Sequence, residues 1–140
     1  MEAPRVHVAL DASAAIALLL DEPQADAVEE LLRSGSVRMS SVNVAEVIDV
    51  LIRRHRGQPD EVIGRVEGLL ELAAEAVPAS TELAVRAGEL RALHFRRDHR
   101  LSLADCFVLA TAEPGDRIAT TDARLAATAR AEGYEVVPLG

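Results

Sequence analysis

Val6-His7-Val8-Ala9-Leu10-Asp11-Ala12-Ser13-Ala14-Ala15-Ile16-Ala17-Leu18-Leu19-Leu20 runs from a short apolar segment, through one carboxylate, into a stretch of strong helix formers. The pattern predicts a buried strand over 6–10 and a helix over 12–20, with Asp11 at the joint. The same grammar recurs downstream. Ser36-Val37-Arg38-Met39-Ser40 reads as a second strand. It leads through Ser41 and Asn43 into a helix from Val44 to Arg56, where Val44, Val47, Ile48, Leu51 and Ile52 fall at helical spacing and Glu46 sits in the expected first turn. Arg117-Ile118-Ala119-Thr120 reads as a strand, Asp122 opens a helix from Ala123 to Glu132, and Gly133 is its C-cap signal. Tyr134 to Val137 is the last strand expected.

Strands alternating with helices imply a parallel sheet with right-handed crossovers, in which ligands bind beyond the carboxyl ends of the strands. Asp11, Glu46 and Asp122 would share that edge. Asp105 joins them on a different argument. It lies in Leu101-Ser102-Leu103-Ala104-Asp105-Cys106-Phe107-Val108-Leu109-Ala110, which is apolar almost all round and is therefore expected to be a buried helix. Asp105 shares a face with Leu101, Val108, Leu109 and Ala112, where an ionised carboxylate is costly unless a cation compensates it.

Helix capping explains each acid singly. Asn43 with Glu46 and Ser102 with Asp105 both have capping-box spacing, while Asp11 and Asp122 suit N-caps. Taken together the acids call for more, since converging carboxylates repel by up to about 4 kcal/mol per close pair at a surface-like dielectric. An oxygen-rich site suits a hard cation, Mg²⁺ or Mn²⁺ rather than Zn²⁺, and Mg²⁺ characteristically contacts substrate phosphates. Phosphoryl chemistry is the natural inference.

The chain has 140 residues with 49% apolar content, enough for one core, and no linker or low-complexity tract divides it, so a single domain over 1–140 is expected. The apolar run 12–20 is too short to span a bilayer. Cys106 is the only cysteine, among apolar neighbours, and reads as a small buried hydrophobe. These features point to a cytoplasmic protein with no membrane partner.

A formal charge of −8 argues against indiscriminate nucleic-acid binding, so any such contact is local. Two basic clusters could steer a phosphate backbone: Arg53, Arg54 and Arg56 around His55, and Arg96, Arg97 and Arg100 around Asp98 and His99. Ordinary placement of cations at helix C-termini explains them equally well. The chain has no lysine, a bias that composition explains as readily as recognition does. Phe95, Phe107 and Tyr134 are its only aromatics, too few to stack several bases, which leaves backbone and shape contacts for an RNA ligand. His7 reads as a satisfied core residue inside a strand, and His55, His94 and His99 lack metal-ligand spacing.

Four segments in order carry a family resemblance: Val8-Ala9-Leu10-Asp11-Ala12-Ser13, Val44-Ala45-Glu46-Val47, Leu103 to Ala112 around Asp105, and Ile118-Ala119-Thr120-Thr121-Asp122-Ala123-Arg124-Leu125. Together they resemble the PIN-domain ribonucleases, most closely the small VapC-type toxins of prokaryotic toxin-antitoxin pairs. The resemblance implies an α/β/α sandwich on a five-strand parallel sheet and a metal site built from Asp11, Glu46, Asp105 and Asp122. It further implies supporting roles for Ser13 and Thr120, a homodimer, and a cognate antitoxin that inserts a segment near the site. The apolar faces expected over Asp60 to Ala74 and Asp21 to Leu32 would suit a dimer or partner groove, or simply cover the sheet.

The expected activity is Mg²⁺-dependent hydrolysis of RNA phosphodiesters, with one or two metal ions activating water. Three rival readings are set against it. A receiver or phosphoryl-transfer domain with Asp11 as acceptor would want a lysine partner, which this chain lacks. A catalytically silent module engaging a protein partner would use the acids only as caps. A DNA-directed nuclease would share the metal site and differ in its response to the 2′-OH.

Overall fold

A computed structural model describes residues 6–140. Five strands form one all-parallel sheet: β1 (Val8–Leu10), β2 (Val37–Ser40), β3 (Ala74–Val77), β4 (Arg117–Ala119) and β5 (Glu135–Val136), in the order β3-β2-β1-β4-β5. Seven helices connect them: α1 (Ala12–Leu19), α2 (Ala25–Arg33), α3 (Ser41–Arg53), α4 (Pro59–Leu72), α5 (Thr81–His94), α6 (Leu103–Thr111) and α7 (Ala123–Ala131). This is the expected mostly parallel α/β/α sandwich.

The layering follows from the alternation of side chains along β1. Val8 and Leu10 point into a core built with α1 to α4, around Val28, Leu31, Met39, Val47, Leu51 and Val66. Ala9 points the other way, into a core with Leu90 of α5, Cys106 and Leu109 of α6, and Leu125 and Ala129 of α7. From the central β1 the chain winds outward through β2 and β3, then returns to the other side for β4 and β5. Crossovers of one hand running in opposite directions place their helices on opposite faces. The reversal between β1 and β4 is a topological switch point, the position at which open parallel sheets characteristically bind ligands.

Several boundaries differ from expectation. β1 begins at Val8, so His7 lies outside it; its backbone N–H donates to Asp116 Oδ1 at 3.0 Å, and its ring Nδ1 has no partner among the described residues, so it is not the satisfied strand histidine expected. Ser36, expected in the second strand, has φ +65° and forms a turn with Gly35. β5 is trimmed to Glu135–Val136. The helix bearing Glu46 starts at Ser41, not Val44, because Ser40 caps it by accepting from Val42 N–H at 3.2 Å. β3 and α5 are elements without a sequence-level counterpart. At the end of α7, Gly133 (φ +88°) turns the chain as expected, with Tyr134 N–H donating to the Ala129 carbonyl and Gly133 N–H to that of Arg130.

α2 and α4 both cover the first sheet face, through Val28, Leu31 and Leu32 and through Val62 and Val66. An apolar groove between α1, α2 and α4 stays open to solvent, with Leu72 87% exposed at its rim. Among the described residues no helix is long and apolar enough to cross a membrane.

Candidate metal and active site

Asp11 follows β1 directly and caps α1, accepting from Ala14 N–H at 2.9 Å. It is 3% exposed, and both carboxylate oxygens are engaged. Ser13 Oγ lies 2.8 Å from each of them, and Thr120 Oγ1 donates to Oδ2 in a short hydrogen bond. The same hydroxyls reach the β4–α7 turn: Thr121 N–H donates to Ser13 Oγ at 3.0 Å, and Asp122 N–H to Thr120 Oγ1 at 2.9 Å. The hydroxyl pair thus ties the carboxylate after β1 to the loop that carries the carboxylate after β4. Asp122 caps α7 by accepting from Arg124 N–H at 2.8 Å.

Asp105 stands in the first turn of α6, held by a reciprocal capping box. Ser102 Oγ accepts from Asp105 N–H at 3.0 Å, while Asp105 Oδ2 accepts from Ser102 N–H at 3.1 Å. This turn is more open than an all-apolar helix suggests: Leu103 is exposed and Asp105 half-buried, while Cys106 and Val108 to Thr111 sink into the core. Glu46 lies in the second turn of α3, beyond the reach of the free N–H groups, so its expected capping-box role with Asn43 is not realised. Instead Asn43 is buried inside the helix, and its Nδ2 donates to Glu46 Oε1 at 3.4 Å and to the Ala104 carbonyl of α6 at 3.1 Å.

The electrostatics link all four acids. Burial pushes the Asp11 carboxyl up to about 6 against the hydrogen bonds from Thr120, Ala14 and Ser13, and the charge of Asp105 adds to the rise. Glu46 is raised by burial, opposed by the Asn43 hydrogen bond, and pushed further by Asp105 and Asp122. Asp105 is raised by burial, restrained by its Ser102 hydrogen bonds, raised again by Asp122 and lowered by Arg124. Asp11, Glu46 and Asp105 therefore each feel at least one other acid, and none of the four forms a salt bridge among the described residues. Among the described residues no group of three His, Cys, Asp or Glu side chains is arranged to hold a metal ion.

The donor set fits a hard divalent cation. It is all oxygen, Asp11, Glu46 and Asp105 are partly desolvated, and the acids are held by hydroxyls and N–H groups, with Arg124 offsetting only Asp105. Cys106, fully buried with its thiol pushed up to about 11 by burial, is unsuited to nucleophilic work.

The basic residues divide. Arg53 is bound to Asp49 one turn earlier at 2.8 Å, and Arg54 and Arg56 are exposed at the far end of α3. Arg96 donates to the Leu93 and Phe95 carbonyls and Arg100 to that of Arg97, organising the turn before α6. Asn43 and Arg124 are site neighbours that the motif pattern did not reveal. The signal for Asn43 was an amide inside the apolar run Val42-Asn43-Val44-Ala45.

The family model for the PIN domain matches residues 8–131. In fold the chain is similar to DNA-bound VapBC of Salmonella typhimurium, with a TM-score of 0.71 and 20% identity over 95% of this chain and 98% of that one. It is similar also to VapC20 of Mycobacterium tuberculosis, a sarcin-ricin loop cleaving toxin, with a TM-score of 0.69 and 18% identity over 94% and 99% of the two chains. FitAcB of Neisseria gonorrhoeae matches with a TM-score of 0.67 and 24% identity over 94% and 96%. No curated protein matches the chain in sequence.

Proposed function

The chain belongs to the PIN-domain family, and on that premise we propose that it is a metal-dependent endoribonuclease, the toxin of a toxin-antitoxin pair. What supports the reading is the hydrogen-bonded link between Asp11, after β1, and the turn carrying Asp122, after β4, together with the charge coupling that raises Asp11, Glu46 and Asp105. Asp11, Glu46, Asp105 and Asp122 are the residues that would hold Mg²⁺ or Mn²⁺. A cation bound there supplies Lewis-acid activation of water and of a phosphate oxygen.

The chain's own residues do the rest. Ser13 and Thr120 orient the buried Asp11 carboxylate by donating to it. The capping box fixes the backbone that presents Asp105. Arg96, Arg97 and Arg100, in the turn before α6, would be the first residues to meet an RNA backbone, with Arg53, Arg54 and Arg56 as a second set. A cognate antitoxin and a homodimer are the proposed protein partners. In support, similar solved folds include VapBC assemblies and a toxin-antitoxin complex from Klebsiella pneumoniae. The open groove between α1, α2 and α4 offers a surface for such contacts.

The deciding experiment incubates purified protein, freed of any antitoxin, with total cellular RNA under Mg²⁺, Mn²⁺ or EDTA, beside Asp11→Asn, and maps new 5′ ends. We expect discrete cuts that need metal and fall at least about 100-fold in the variant. RNA intact under every condition would favour a silent module that engages only a protein partner. Equal cleavage of a matched DNA would redirect the assignment to a nuclease without 2′-OH selection.

A further inference from the structure

Asn43 is the one side-chain amide of α3 and is 1% exposed, yet asparagine is a weak helix former and an apolar residue would suit that face better. Burying an amide is unfavourable unless its polar atoms are paired. Here one end is paired and the other is not: Nδ2 donates to Glu46 Oε1 at 3.4 Å and to the Ala104 carbonyl at 3.1 Å, while Oδ1 is buried with no partner among the described residues. A flipped amide would set Oδ1 against two acceptor oxygens, so the orientation is dictated by its neighbours.

The partners of Nδ2 give the residue its meaning. Glu46 is one turn further along the same helix, and the Ala104 carbonyl belongs to the peptide whose N–H is that of Asp105. Among the described residues this is the one side-chain hydrogen bond that joins α3 to α6. We propose that Asn43 is a positioning residue of the four-carboxylate site, its single amide group fixing the Glu46 carboxylate against the start of α6 and so setting the Glu46-to-Asp105 separation that a divalent cation requires. The proposal rests on the metal-site reading given above and adds to it a residue outside the acids and hydroxyls. Groups that orient metal ligands in this way are worth 10- to 100-fold in metal affinity.

The test is Mn²⁺ binding to the full chain, followed by the electron paramagnetic resonance of free Mn²⁺, together with thermal melting in EDTA. Asn43→Leu keeps the volume, removes the donor and also removes the unpartnered oxygen. We expect it to melt within a few degrees of wild type while its Mn²⁺ Kd weakens about 10- to 100-fold. Asn43→Gln, which keeps an amide but shifts it by one methylene, should fall between the two, and it serves as the decisive variant if Asn43→Leu does not fold. Wild-type Kd in a folded Asn43 variant would overturn the positioning role. Failure of wild type itself to bind Mn²⁺ would overturn the metal-site reading and this inference with it.

Discussion

Asp11 concentrates the physics of the site in one side chain. Its carboxyl is raised from 3.8 to about 6, chiefly by burial, so the folded protein holds that proton more tightly than the unfolded chain does. The associated stability is therefore full below about pH 4, is lost as the pH rises towards about 6, and levels off beyond it. The span between the two values corresponds to about 3 kcal/mol. Asp11→Asn stays neutral and still offers an oxygen to Ala14 and Ser13. In EDTA its melting temperature should exceed that of wild type by a margin that grows across this window; an unchanging margin would show that Asp11 does not titrate there. A cation has the opposite preference, for the ionised form, so metal affinity should rise through the same interval. At this scale the acids were legible because charge is written directly in the residue type. Asn43 was not, because its role depends on Ala104, 61 positions away, and no local pattern marks that partner.

Among the elements, α6 shows how a cap can serve a site. Ser102 and Asp105 share two hydrogen bonds, one in each direction, and the carboxylate that completes the cap is also one of the four acids. Ser102→Ala should cost about 1 kcal/mol and lower the melting temperature by about 3 °C, read by thermal denaturation. The capping spacing at Ser102 was readable and holds. The same spacing at Asn43 and Glu46 does not, since Ser40 starts α3 earlier and puts both residues inside the helix. β3 escaped sequence reading for a different reason. Ala74-Glu75-Ala76-Val77 has little strand character of its own, and it is extended because β2 offers it a parallel edge, with Arg38 and Glu75 paired across the two strands at 3.3 Å. α5 buries only a narrow stripe at Ala87 and Leu90 and leaves Val85 and Leu93 exposed, so its amphipathic signal is faint.

For the whole molecule, the winding of the sheet brings together residues from opposite ends of the chain. Asp11 and Thr120 are 109 positions apart and share a hydrogen bond, because β1 and β4 are neighbours on either side of the switch point. A cation that binds only the folded arrangement should stabilise it by mass action. Mn²⁺ at about 100 times its Kd is expected to add about 2.7 kcal/mol to wild type and clearly less to Asp105→Asn. Identical melting of both proteins with and without metal would count against the four-carboxylate site.

The sequence alone determined the alternation of strands and helices outside β3 and α5, and the presence of a capping acid at the β1–α1 and β4–α7 joints. These are local matters of side-chain period, capping chemistry and helix propensity, readable within a few residues. Only the tertiary structure decided which strands are neighbours, that a weakly patterned segment becomes β3, and that Glu46 is held from within α3 by an amide bonded to α6. Those outcomes depend on burial and on hydrogen-bond partners supplied by distant chain, which exist only once the sheet has closed around its two cores.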